Sequence, residues 1–100
     1  MVNRVNVSWS PEAQKQFNKI ILYLLEHFGL PIAERFTEEV SDLINRIREN
    51  RRLCPSFSHK IHELHRCVIR KQASLTYMIA KKNIYIVSVF DNRTDHPHFA

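Results

Sequence analysis

The sequence predicts an α+β fold: a helical hairpin packed on one face of a small, mainly antiparallel sheet, in the order β-α-α-β-β-β. Two long stretches in the first half repeat apolar residues at three- and four-residue steps, as amphipathic helices do. The second half alternates apolar and polar residues with the strand period of two. The two helical stretches are joined by only about three residues, so they must fold back on each other.

Val5, Val7 and Trp9 alternate with Asn6 and Ser8, as in a short strand with one buried face. Ser10, Pro11 and Glu12 form a helix start. Ser10 is the N-cap, Pro11 takes the first helical position and Glu12 lies near the positive end of the dipole. Ala13, Phe17, Ile20, Ile21, Leu24, Leu25 and Phe28 then make one wide apolar stripe. Gly29 suits a left-handed C-cap. Pro31 opens a second helix whose stripe is Ala33, Phe36, Val40, Leu43, Ile44 and Ile47, ending near Leu53, before Pro55. Residues 56–64 read as a polar, histidine-bearing connection. A strand follows with Cys67 and Ile69 alternating with Arg66, Val68 and Arg70, and another with Leu75, Tyr77 and Ile79 opposing Thr76, Met78 and Ala80. Lys81, Lys82 and Asn83 make a hairpin loop, with Asn83 suited to a positive φ. The run 84–90 is apolar except for Ser88 and is expected to be a strand buried on both faces. It hands Asp91, Asn92, Arg93, Thr94 and Asp95 to the sheet rim.

The 100 residues make one domain, 1–100, and 44% apolar content is enough for a small core. No run is long enough to cross a bilayer, and no leader-like segment precedes the first strand pattern. Two cysteines, Cys54 and Cys67, are too few for a secreted disulfide scaffold. A cytoplasmic protein is expected. Gly29 is the single glycine, which excludes glycine-rich phosphate loops. The net charge of +5 favours an anionic partner, either nucleic acid or an acidic protein.

The candidate site is cationic. Arg66 and Arg70 lie four residues apart on one strand, which places them on one face roughly 13 Å apart. Lys60 precedes them, Lys71 follows, and Arg93 lies just past the last strand. Arginine's planar fork suits phosphate; a solvated basic face is the plainer alternative. Arg46, Arg48, Arg51 and Arg52 gather where the second helix ends, and offset its negative dipole end. His59, His62 and His65, flanked by Cys54 and Cys67, do not converge in an extended segment, so no metal site is expected. No cofactor is implied either. A single histidine among them could still act as a general base. Glu63, Asp91 and Asp95 are expected to order neighbouring cations, and Tyr77 and Tyr85 to be core tyrosines.

The opening 7–13 (Val-Ser-Trp-Ser-Pro-Glu-Ala), the helical hairpin, the 64–70 and 75–77 strands and the ending 84–93 together resemble the RelE/ParE superfamily of toxins from bacterial type II toxin–antitoxin modules. The resemblance covers nearly the whole chain, and its opening and ending are the more specific parts. It implies a small acidic antitoxin that masks the toxin's working surface. It also implies one of two targets: DNA gyrase, inhibited by binding in ParE-like members, or mRNA in the ribosome, cut by RelE-like members. Carried over by position to a ribonuclease, Lys60 or His62 would serve proton transfer, and Arg66, Arg70 and Arg93 would hold phosphate. For binding alone, the residues are Arg66, Arg70, Lys71, Asn92 and Arg93. Asn92 and Arg93 stand where RelE-like members have His and Tyr, and neither is a good general acid. This leans the expectation toward a ParE-like toxin.

Overall fold

The computed structural model describes residues 5–58, 63–70 and 72–91. In chain order these form β1 (Asn6–Trp9), α1 (Pro11–Phe28), α2 (Leu30–Glu49), β2 (Ser56–Ser58), β3 (Glu63–Ile69), β4 (Ala73–Ala80) and β5 (Asn83–Asp91). The five strands make one sheet in the order β1-β5-β4-β3-β2. β1 runs parallel to β5, and every other pairing is antiparallel. The predicted fold class stands, with β2 as an added short strand inside the stretch expected to be a plain connection.

Both helices start and stop on the residues that the sequence singles out. The Ser10 side chain accepts the Ala13 N–H at 2.9 Å, and Pro11 occupies the first turn of α1. Gly29 has φ +91°, a conformation L side chains rarely adopt, and its N–H donates to the Leu24 carbonyl at 3.0 Å. Its own carbonyl accepts the Ala33 N–H, so one residue closes α1 and opens α2. α2 ends at Glu49 rather than near Leu53, because residues 50–54 leave the helix in turns.

The core lies between the hairpin and one sheet face. α1 contributes Ala13, Ile20 and Leu24; α2 contributes Ala33, Phe36, Val40, Ile44 and Ile47. They meet Cys67, Ile69, Leu75, Tyr77, Ile84, Ile86 and Val89 from the sheet. Phe17 bridges Trp9 of β1 and Phe36 of α2, with ring centroids 5.3 and 6.0 Å away.

β5 departs from expectation. It is buried on one face only: Tyr85, Val87 and Phe90 are exposed. Its pairing with β4 slips between Thr76 and Tyr77, which face Ser88 and Ile86 and leave Val87 as an extra residue. This is a β-bulge, and it inverts the alternation beyond it. Ile84 and Ile86 point inward before it; Val89 and Asp91 do so after it. The edge of β5 beyond the end of β1 is closed by α1. Ser10 donates through its N–H to the Ile86 carbonyl at 2.9 Å and through its hydroxyl to the Val87 carbonyl at 3.0 Å. The Val89 N–H donates to the Gln16 side-chain oxygen at 2.8 Å. Backbone groups that the ladder leaves open thus find partners.

Candidate functional site

The helices cover one side of the sheet, and no other described element covers the reverse side. Outward-facing residues alternate along β3 and β4, and register aligns them across the strands. Arg66 stands opposite Thr76, which stands opposite Ser88; Val68 stands opposite Ser74, which stands opposite Phe90. Arg66, Ser74, Thr76, Ser88 and Phe90 line a shallow hollow of about 260 Å³. Ser88 and Phe90 reach it only because the bulge turns them outward. The Arg66 guanidinium carbon lies 4.5 Å from the centre of the Phe57 ring, a cation–π contact between β3 and β2. Phe57, Val68, Tyr85, Val87 and Phe90 add large exposed apolar side chains to the sheet, beside the exposed polar Asn6 and Ser8 of β1. The hollow offers one fixed cation, three hydroxyls and an aromatic wall, which suits an anionic or hydrogen-bonding group. No histidine, lysine or carboxylate lines it, so it holds no ready proton-transfer pair among the described residues.

Of the residues expected at the site, Arg66 lies there. Arg70 does not share its face. It lies past the end of β3 with φ +51°, so the strand alternation no longer fixes its direction, and its side chain pairs with Glu39 of α2. Lys60, His62, Lys71, Asn92 and Arg93 lie outside the described residues, as do His59 and Asp95. Tyr85 is exposed on the open face rather than in the core, while Tyr77 is fully buried. The positive φ of the β4–β5 hairpin falls on Lys81 instead of Asn83.

Beside the hollow, the segment between α2 and β2 is fastened by a polar network. Arg52 donates twice to Glu63, at 2.9 and 3.0 Å. The buried His65 meets Glu63 Oε2 at 2.7 Å through Nε2 and the Cys54 carbonyl at 2.6 Å through Nδ1. Both partners are oxygen atoms that accept, so the ring is held between the Glu63 carboxylate and the Cys54 carbonyl. The His65 ring stacks on Tyr77 with centroids 5.0 Å apart. The Tyr77 hydroxyl donates to the Arg51 carbonyl at 2.7 Å and accepts the Cys54 N–H at 3.4 Å. Hydrogen bonds from Arg52, then from His65, hold the Glu63 carboxyl down to about 2. Burial pushes the Tyr77 phenol up. Arg51 reaches the Lys81 carbonyl, so Arg51 and Arg52 fasten a connection and do not serve the helix end; Arg46 and Arg48 alone occupy the last turn of α2. Cys54 and Cys67 form a disulfide, with Cα atoms 5.3 Å apart. The disulfide, Phe57 and the three hydroxyls carry no motif in the sequence. Alternation along the strands was the one available pointer to Ser74 and Thr76.

Over residues 7–96 the chain matches the family described as the ParE toxin of the type II toxin–antitoxin system parDE. It belongs to the ParE toxin family. Solved structures agree with this ParE-family fold. The chromosomal ParDE toxin–antitoxin system from P. aeruginosa matches with a TM-score of 0.71 at 10% identity, over 88% of this chain and 96% of that one. The YoeB dimer from Staphylococcus aureus matches with a TM-score of 0.64 at 17% identity, over 88% and 97%. A free double mutant of the E. coli toxin RelE matches with a TM-score of 0.62 at 12% identity, over 97% and 93%. At such identities the shared property is the fold. A search of curated proteins finds no match. The family makes this chain the toxin of a type II module, with an antitoxin as partner. No helix among the described residues is long and apolar enough to cross a membrane.

Proposed function

We propose that this ParE-family toxin inhibits growth in the cytoplasm by binding DNA gyrase, and that a small acidic antitoxin neutralises it. The bare sheet face carries the reading. The strands expose five large apolar side chains, and one of them, Phe90, lines a hollow with Arg66 as its cation. A contiguous apolar face rimmed by polar groups is the signature of a surface that docks on protein. A surface that tracks phosphates carries several free cations; among the described residues Arg66 lines the hollow, while Arg70, the second expected, is engaged by Glu39.

The test adds purified protein separately to a gyrase supercoiling assay and to a ribosome-dependent mRNA cleavage assay. Inhibited supercoiling with intact message is expected. Message cut in the ribosome with gyrase unaffected would replace this reading with the RelE-like one.

A further inference from the structure

The segment from α2 to β2 is tied to β3 at several points, and only one of them is covalent. The Arg66 N–H donates to the Pro55 carbonyl at 3.0 Å, and His65 holds the Cys54 carbonyl. The Cys54–Cys67 disulfide closes the chain over a sequence separation of 13. That loop contains Phe57, the ring under Arg66. Cys67 is buried at 3% exposure, whereas Cys54 is half-buried and is the more exposed partner of the pair. Where cells keep thiols reduced, a disulfide of this kind forms and breaks instead of standing as a permanent staple.

We propose that the Cys54–Cys67 bond is a redox-operated clasp: closed, it seats Phe57 beneath Arg66 and so steadies the cation that lines the hollow; open, it releases the segment that carries Phe57. Opening needs a dithiol reductant. One thiolate of the dithiol attacks Sγ of Cys54, the bond between the two cysteine sulfurs breaks, and Cys67 leaves as a thiolate that takes up a proton. The second sulfur of the dithiol then attacks the mixed disulfide and expels Cys54, which is protonated in turn. The reductant ends as a disulfide, and its two protons and two electrons end on the cysteine pair. Exchange with an oxidised dithiol runs the same steps backward. The effect on gyrase and the reducing surroundings rest on the reading above; the disulfide and its exchange chemistry do not.

The experiment uses the full chain, air-oxidised and after treatment with dithiothreitol. Alkylation with iodoacetamide, read by intact mass, is expected to add nothing to the first and two groups to the second. Hydrogen exchange of the amide of Arg66 and of the 55–58 peptide is expected to speed up at least about tenfold on reduction, and the melting midpoint to fall on the order of 10 °C. Gyrase inhibition is expected to drop on reduction, recover with oxidised glutathione and be indifferent to reductant in Cys54→Ser. In Phe57→Ala the disulfide still forms, and inhibition by the oxidised protein falls to the reduced level. Two free thiols in the oxidised sample overturn the clasp, as does equal exchange in both states. Inhibition present and equal in both states overturns its control of the face. Inhibition absent in both overturns the gyrase reading instead, and the exchange result alone then decides the clasp.

Discussion

Two faces of one sheet, built from the same strands, are put to opposite uses. Under the helices, Leu75, Tyr77, Ile84 and Ile86 are fully buried; on the reverse, Val68 is 61% and Phe90 43% exposed. The covered side holds the core that makes the fold stable. The bare side contributes little to stability and is therefore free to carry chemistry chosen for a partner. Substitutions should separate the two cleanly, with stability responding on one side and inhibition on the other.

The largest stability loss is expected from Leu24→Ala, which empties a buried site between α1 and the sheet. It should cost about 3 kcal/mol, read as a lower midpoint in thermal or denaturant melts; an unchanged midpoint would break the division. Tyr77→Phe keeps the ring and removes the hydroxyl that serves Arg51 and Cys54. About 1–2 kcal/mol should go, again by melting. Gln16→Leu leaves the Val89 N–H without its acceptor beside the bulge, and about 1 kcal/mol is expected. Arg66→Ala should shift the midpoint by less than about 0.5 kcal/mol. It should weaken gyrase inhibition about tenfold, whereas Arg70→Ala leaves inhibition unchanged. Equal losses in the two arginine variants would return Arg70 to the site. The smallest effect concerns acid. The Glu63 carboxyl is held at about 2, below its ordinary 4.5. A carboxyl whose folded value is depressed stabilises the fold fully above the ordinary value, and loses that contribution as pH falls toward the folded one. The stability advantage of the wild type over Glu63→Gln should therefore be constant above about pH 5 and shrink between about pH 4.5 and 2, followed by melts across that range.

The covered face was far more legible in the sequence than the bare one. The helical stripes, the Ser10 cap, the Gly29 break and the outward Arg66 all follow from local periodicity and local backbone preference. What escaped depends on partners distant in the chain. The apolar run 84–90 reads as buried on both sides because composition cannot show that Tyr85, Val87 and Phe90 stay exposed. Arg70 reads as a strand residue because the turn that redirects it is set by the pairing of Ile69 with Ala73. The cysteine pair needs a Cα separation that only the folded β3 and the 50–55 segment provide. Phe57 sits in a three-residue strand too short to carry a period. Of the remaining expected site residues, Lys60, His62, Lys71, Asn92 and Arg93 lie beyond the described parts.

The extra residue at Val87 has a genetic corollary. Losing that single codon would restore strict alternation through the end of β5 and leave both faces as they are, with Val89 and Asp91 inward and Phe90 outward, because Val87 is the residue that breaks the period. Elsewhere in a strand the loss of one residue hands every following side chain to the opposite face; at the bulge the same loss removes only the irregularity. A one-codon shortening at this point is therefore a change that the scaffold can absorb without handing its core side chains to solvent.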